Sequence, residues 1–139
     1  MARSADAARP AVPSVLDCGL VLLGVKAALR WLGFGRTLTL IRRLTAGAPA
    51  APDDEPLVPR ATAHAVATAG AFFPGRALCL EQSLALYYCL RRRGIAARLR
   101  LGVQSHPFAA HAWVEWRDEP LNDTRERLKR FLPLPDVAP

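Results

Sequence analysis

The spacing of apolar residues changes along this chain, and each change predicts a different kind of element. Leu16, Leu20, Leu23, Ala27 and Trp31 recur at helical spacing, which predicts a helix with one apolar stripe. Ser14, just after Pro13, is placed to cap it. Gly33 and Gly35 break the pattern, and a second helical stretch follows over residues 37–44, with Leu38, Ile41 and Leu44 on one face and Arg42-Arg43 on the other. Residues 47–59 read as a linker of Ala, Pro and the acidic triplet Asp53-Asp54-Glu55. An Ala/Thr-rich helix is predicted over about residues 61–72, then Pro74-Gly75 punctuates the chain. The next helix, about 78–93, is apolar on nearly all sides and should be central and buried. Arg91-Arg92-Arg93 suit the negative end of its dipole and Gly94 a left-handed stop.

Beyond Gly94 the period falls to two. Ala97, Leu99, Leu101 and Val103 alternate with Arg98, Arg100 and Gly102, a half-exposed strand. Residues 104–108 form a loop with Pro107, and 109–116 a second strand. On that strand His111, Trp113 and Glu115 point one way and Ala112, Val114 and Trp116 the other. Arg117-Asp118-Glu119 reads as a three-residue turn, with a third strand beginning over 120–123 and a frayed end from Pro133. The expected fold is α+β: N-terminal helices, then a buried helix on a small antiparallel sheet. The expected organisation is a loose segment 1–13 and a single domain 14–139, comprising a helical part 14–46, the linker 47–59 and a core 60–132.

Composition narrows the possibilities. At 139 residues the chain can bury roughly two-thirds of its unfolded surface, enough for one domain. Its hydrophobic fraction of 51% and charged fraction of 22% are globular values. The net charge of +7, almost all from Arg, suits an ordinary Arg-rich protein, and its functional reading is attraction to an acidic partner or peptide. The basic residues are spread out, with one cluster at Arg91-Arg92-Arg93, and the aromatics do not interleave with them, so nucleic acid is the weaker expectation and is not the partner favoured. Three cysteines, with no CxxC, indicate neither a disulfide framework nor a zinc knuckle, and suit a reducing cytoplasm. Residues 15–25 are apolar but contain Asp17 and end at Lys26, too short and interrupted for membrane insertion or a signal peptide.

Three side chains could make a nucleophilic relay. Cys79 stands near the first turn of the buried helix, where the positive end of the dipole favours thiolate. His111 could take the thiol proton and return it to a leaving amine, and Asp123 could hold the ring. Cys79 and His111 each have a plainer reading, a buried structural cysteine and a core histidine, and Asp123 competes with Glu115, Asp118 and Glu119. Cys18 and Cys89 read as core, and His64 and His106 have no carboxylate placed beside them. Glu115 shares the strand face with His111 but lies about 13 Å along it, too far for a direct bond. With a three-residue turn, Asp123 becomes a diagonal neighbour of His111, within about 7–8 Å. A two-residue turn would put Asp123 on the opposite face. Candidate oxyanion donors are the backbone N–H of Cys79 and the amides of Gln82 and Gln104. Distant single ligands make a poor zinc signature.

The runs Cys79-Leu80-Glu81-Gln82-Ser83-Leu84-Ala85-Leu86, Arg92-Arg93-Gly94-Ile95, Leu101-Gly102-Val103, Pro107-Phe108-Ala109-Ala110-His111-Ala112-Trp113-Val114-Glu115 and Pro120-Leu121-Asn122-Asp123 together resemble the lasso peptide biosynthesis B2 proteins. The similarity is strong over residues 74–123; the N-terminal half resembles that family only in being helical and apolar. These are leader peptidases of a transglutaminase-like, papain-related fold. The resemblance implies Cys79 as nucleophile, His111 as general base and acid, and Asp123 as its orienter, with no metal or organic cofactor. It implies a ribosomally made lasso precursor as substrate, cut between leader and core, with a small pocket for a penultimate leader Thr. A separate B1 leader-recognition protein would deliver the leader, and an ATP-dependent macrocyclase would receive the core. Two other readings stay open: an acyltransferase using the same three residues, and a non-catalytic peptide- or nucleic-acid-binding domain. The Leu16–Trp31 stripe could dock the B1 partner, although core packing is its plainer role.

Overall fold

In a computed structural model of the chain, residues 12–50, 57–72 and 79–135 are described. Helix α1 spans Val15–Thr45, α2 Leu57–Phe72 and α3 Cys79–Arg92. Then come β1 (Arg98–Ser105), β2 (Phe108–Trp116), β3 (Glu119–Pro120), the single turn α4 (Arg125–Leu128) and β4 (Leu132–Pro133). The strands form one antiparallel sheet in the order β3-β2-β1-β4. The fold is α+β, as the change of period predicts. The acidic triplet 53–55 and the Pro74-Gly75 break lie outside the described residues, as do 1–11.

Local chemistry accounts for the helix boundaries. The Ser14 hydroxyl accepts the Asp17 N–H at 3.1 Å and caps α1. Gly33 takes φ 79° and ψ 173°, a backbone region essentially restricted to glycine, and divides α1 into two halves. Gly35, expected to share in the break, lies within the second half. The start of α2 at Leu57 is earlier than expected because Pro59 is tolerated in a first turn, where N–H groups lack helical acceptors. Gly94 adopts φ 76° after α3, the left-handed stop its position predicts.

Helix α3 is the centre of the molecule, with Leu84, Ala85, Leu86 and Leu90 fully buried. It packs against α1, α2 and β2. The stripe expected to bury α1 does not do so: Leu16, Leu20, Leu23, Ala27 and Trp31 are exposed, while Cys18, Leu22 and Val25 face the core. Both sets recur at helical spacing, so periodicity alone could not choose between them. Packing on α3 selects the second set, whose small Cys18 meets Cys89.

The far end of the sheet also departs from expectation. The β2–β3 turn has two residues, Arg117 and Asp118, both at positive φ (52° and 62°), the twist that suits a tight hairpin. Pro133, where the frayed end was expected to begin, instead pairs with Gly102 of β1, next to Leu132 with Val103, as β4.

Burial raises both core thiols, that of Cys89 to about 12. An unfolded thiol titrates near about 8.5, so the folded state holds these protons more tightly. The resulting stabilisation is complete below that value and is lost as pH climbs toward about 12. Urea midpoints should therefore fall as pH rises through about 9 to 11, and the fall should be shallower in Cys89→Ala.

Candidate active site

Strand β3 is only two residues long, so it leaves most of one edge of β2 without a strand partner. Backbone groups at such an edge need other partners. Leu121 N–H donates to Val114 O at 2.9 Å as the chain leaves β3. The Val114 N–H donates to Asn122 Oδ1 at 2.8 Å. Ser83, fully buried on α3, donates its hydroxyl to Ala112 O at 2.9 Å and accepts from Asn122 Nδ2 at 2.9 Å. These bonds tie the N-terminal half of α3, the edge of β2 and the segment after β3 together.

Two of the three relay candidates meet at that junction. His111 Nε2 hydrogen-bonds Asp123 Oδ2. The two-residue turn would have placed Asp123 on the wrong face had the strand continued. It does not: β3 ends at Pro120, and Asn122 inserts its side chain where strand backbone would lie. Released from the pleat, Asp123 turns to the imidazole. The expected register is thus corrected, while the expected contact forms by another route. The Asp123 side chain is 3% exposed, and its second oxygen accepts the Thr124 N–H at 2.7 Å.

The imidazole lies between two rings, with centroids 5.9 Å from Trp113 and 5.1 Å from Phe131. Gly102, directly opposite His111 on β1, makes room for them. A Cβ there would stand 3.0 Å from both the Trp113 ring and Phe131. Pairing of β4 with β1 at Gly102 brings Phe131 over the histidine. With Nε2 committed to Asp123, Nδ1 is the ring nitrogen left for proton transfer.

Cys79 is the exposed first residue of α3, one turn before Ser83. Its sulfur makes no hydrogen bond to His111 among the described residues. Cys18 and Cys89 are buried. Gln82 lies against α2, its amide 2.9 Å from where a Cβ on Gly70 would stand. Gln104 donates to Pro107 O at 3.0 Å, in the β1–β2 turn. Glu115 accepts from Trp113 Nε1 at 3.0 Å, and His106 contacts the Ser105 hydroxyl, both without Asp123. No group of three or more His, Cys, Asp or Glu placed to hold a metal occurs among the described residues. No described helix is long and apolar enough to cross a membrane.

No role was expected for Ser83, Asn122, Trp113, Gly102 or Phe131. A signal existed for Ser83: a hydroxyl inside an otherwise apolar buried helix must find a partner. None existed for Phe131, whose position depends on a chain reversal through α4.

The chain belongs to the transglutaminase-like superfamily, whose family model matches residues 19–136. It is also similar to the microcin J25-processing protein McjB of Escherichia coli, with 44% identity over 45 residues. That match covers 32% of this chain and 22% of the relative's length. Both similarities agree with the B2 resemblance carried by the motif residues. No solved structure matches the chain significantly.

Asn122→Ala removes the shared partner of Ser83 and Val114 and leaves a buried N–H unsatisfied. Urea unfolding should show a loss of about 1–3 kcal/mol with an unchanged denaturant slope.

Proposed function

We propose that the protein is a cysteine peptidase that removes the leader from a ribosomally made lasso peptide precursor. The observation that carries this reading is the His111 Nε2–Asp123 Oδ2 bond, which orients the imidazole and leaves Nδ1 for a thiol. The one exposed cysteine among the described residues supports it. So does a relative whose name describes peptide processing.

In the proposed reaction His111 Nδ1 takes the Cys79 thiol proton as Sγ attacks the scissile carbonyl carbon. The tetrahedral oxyanion is held by the Cys79 backbone N–H at the start of α3. Collapse breaks the C–N bond, His111 returns the proton to the leaving amine of the core peptide, and a thioester remains. Water, deprotonated by His111, then releases the leader as a carboxylate. Asp123 holds the ring in one tautomer and stabilises the imidazolium between the two proton transfers. Unliganded sites commonly hold such hydrogen bonds loosely, so attack requires Sγ to close on Nδ1 when substrate binds. Gln82 and Gln104 have no step here, since their amides lie against Gly70 and Pro107. A B1 leader-recognition protein would present the precursor, and an ATP-dependent macrocyclase would consume the core.

Superfamily membership favours one second reading, transfer of the same acyl group to an amine rather than to water. Hydrolysis in ¹⁸O-water distinguishes the two: peptidase action labels the leader's new carboxylate, and acyl transfer yields an unlabelled amide.

Incubation with the cognate precursor and B1 protein, followed by mass spectrometry, should give free leader and core. Cys79→Ala should give neither, and Asp123→Asn should lower kcat by about 10²–10⁴-fold. Cleavage by the Cys79→Ala variant would overturn the assignment.

A further inference from the structure

The outward face of α1 is a broad apolar surface. Leu16, Leu20, Leu23 and Trp31 are 76%, 62%, 56% and 79% exposed. Single exposed hydrophobes are ordinary, whereas a contiguous row marks an interaction surface. Beside the row, the two halves of α1 enclose a cleft of about 350 Å³. Leu20, Gly24 and Ala28 form one wall, Leu40 and Leu44 the other, and Tyr88 also lines it.

Gly24 is informative. A glycine inside a helix weakens it relative to alanine. A Cβ at Gly24 would meet nothing within 4 Å, so no packing within the chain requires the missing side chain. What the glycine does provide is depth, letting an incoming side chain approach the helix closely.

Charge identifies the visitor. Helix α1 carries Lys26, Arg30, Arg36, Arg42 and Arg43 against one acidic residue, Asp17. Arg36 and Arg43, both exposed and two turns apart, stand beside the Leu40–Leu44 wall. We infer that this cleft docks an acidic, amphipathic helix from a second protein, its apolar ridge between the two halves of α1 and its carboxylates on the arginines. Another copy of this chain would bring its own charge of +7 to a basic surface. None of the relay candidates lines the cleft, so the inference stands apart from the peptidase reading.

The test uses the full chain and a labelled, helix-stapled peptide of about 18 residues, with Leu on one face and Glu on the other. Anisotropy should show saturable binding. Gly24→Leu, which fills the cleft where the fold has room, should weaken it at least about tenfold, as should the double substitution R36E/R43E. Cys79→Ala should bind like the wild type, even if it loses all cleavage. Circular dichroism and urea unfolding establish that each variant is folded. No saturable binding, equal binding of a Lys-for-Glu peptide, or unchanged affinity in Gly24→Leu would each overturn the inference. So would binding to phosphatidylglycerol vesicles in place of the peptide, or self-association that Gly24→Leu abolishes.

Discussion

The edge of β2 that β3 leaves unpaired is the constraint on which the rest of the site depends. A sheet edge in the interior must satisfy its N–H and C=O groups without a neighbouring strand. Here Ser83 comes from a helix and Asn122 from the segment after a hairpin, and each bonds both the strand and the other. Three distant stretches of chain are thereby brought to one line. The turn before Ser83 holds Cys79, the residue before Ala112 is His111, and the residue after Asn122 is Asp123. A network whose members are all satisfied rigidifies its surroundings, and one missing member leaves buried groups unpaired.

The imidazole is positioned by a second layer built on this one. Asp123 holds Nε2, while Trp113 and Phe131 flank the ring. Both aromatic residues depend on the missing side chain at Gly102, and Phe131 depends further on β4 pairing at the same residue. Orientation of the imidazole therefore rests on van der Waals contact as much as on the hydrogen bond. The sulfurs divide in a similar way. Burial keeps Cys18 and Cys89 protonated in the core, and among the described cysteines Cys79 alone is exposed.

Helix α1 presents a different economy. It is apolar on two faces but buries only one, against α3 and α2. The exposed face contributes nothing to the packing of the described residues, and a contiguous apolar row of this kind marks an interaction surface. The kink at Gly33 folds the second half of α1 back toward the first and so opens a cleft beside that face, reaching it at Leu20.

Much of this was legible in the residues themselves. The change of period after Gly94, the Ser14 cap and the apolar α3 follow from local physics: side-chain spacing, backbone φ and the helix dipole. The pairing of His111 with Asp123 was expected from motif resemblance and from a hairpin register that proved wrong. Register depends on where a strand stops, and β3 stops because Asn122 finds a better use for its amide than another rung of ladder. The buried face of α1 was likewise undetermined, because two stripes of equal period compete until α3 supplies a partner. Sequence thus determined the elements, whose causes lie within a few residues. Tertiary structure decided which faces and edges meet, since those choices turn on satisfying groups that are far apart in the chain.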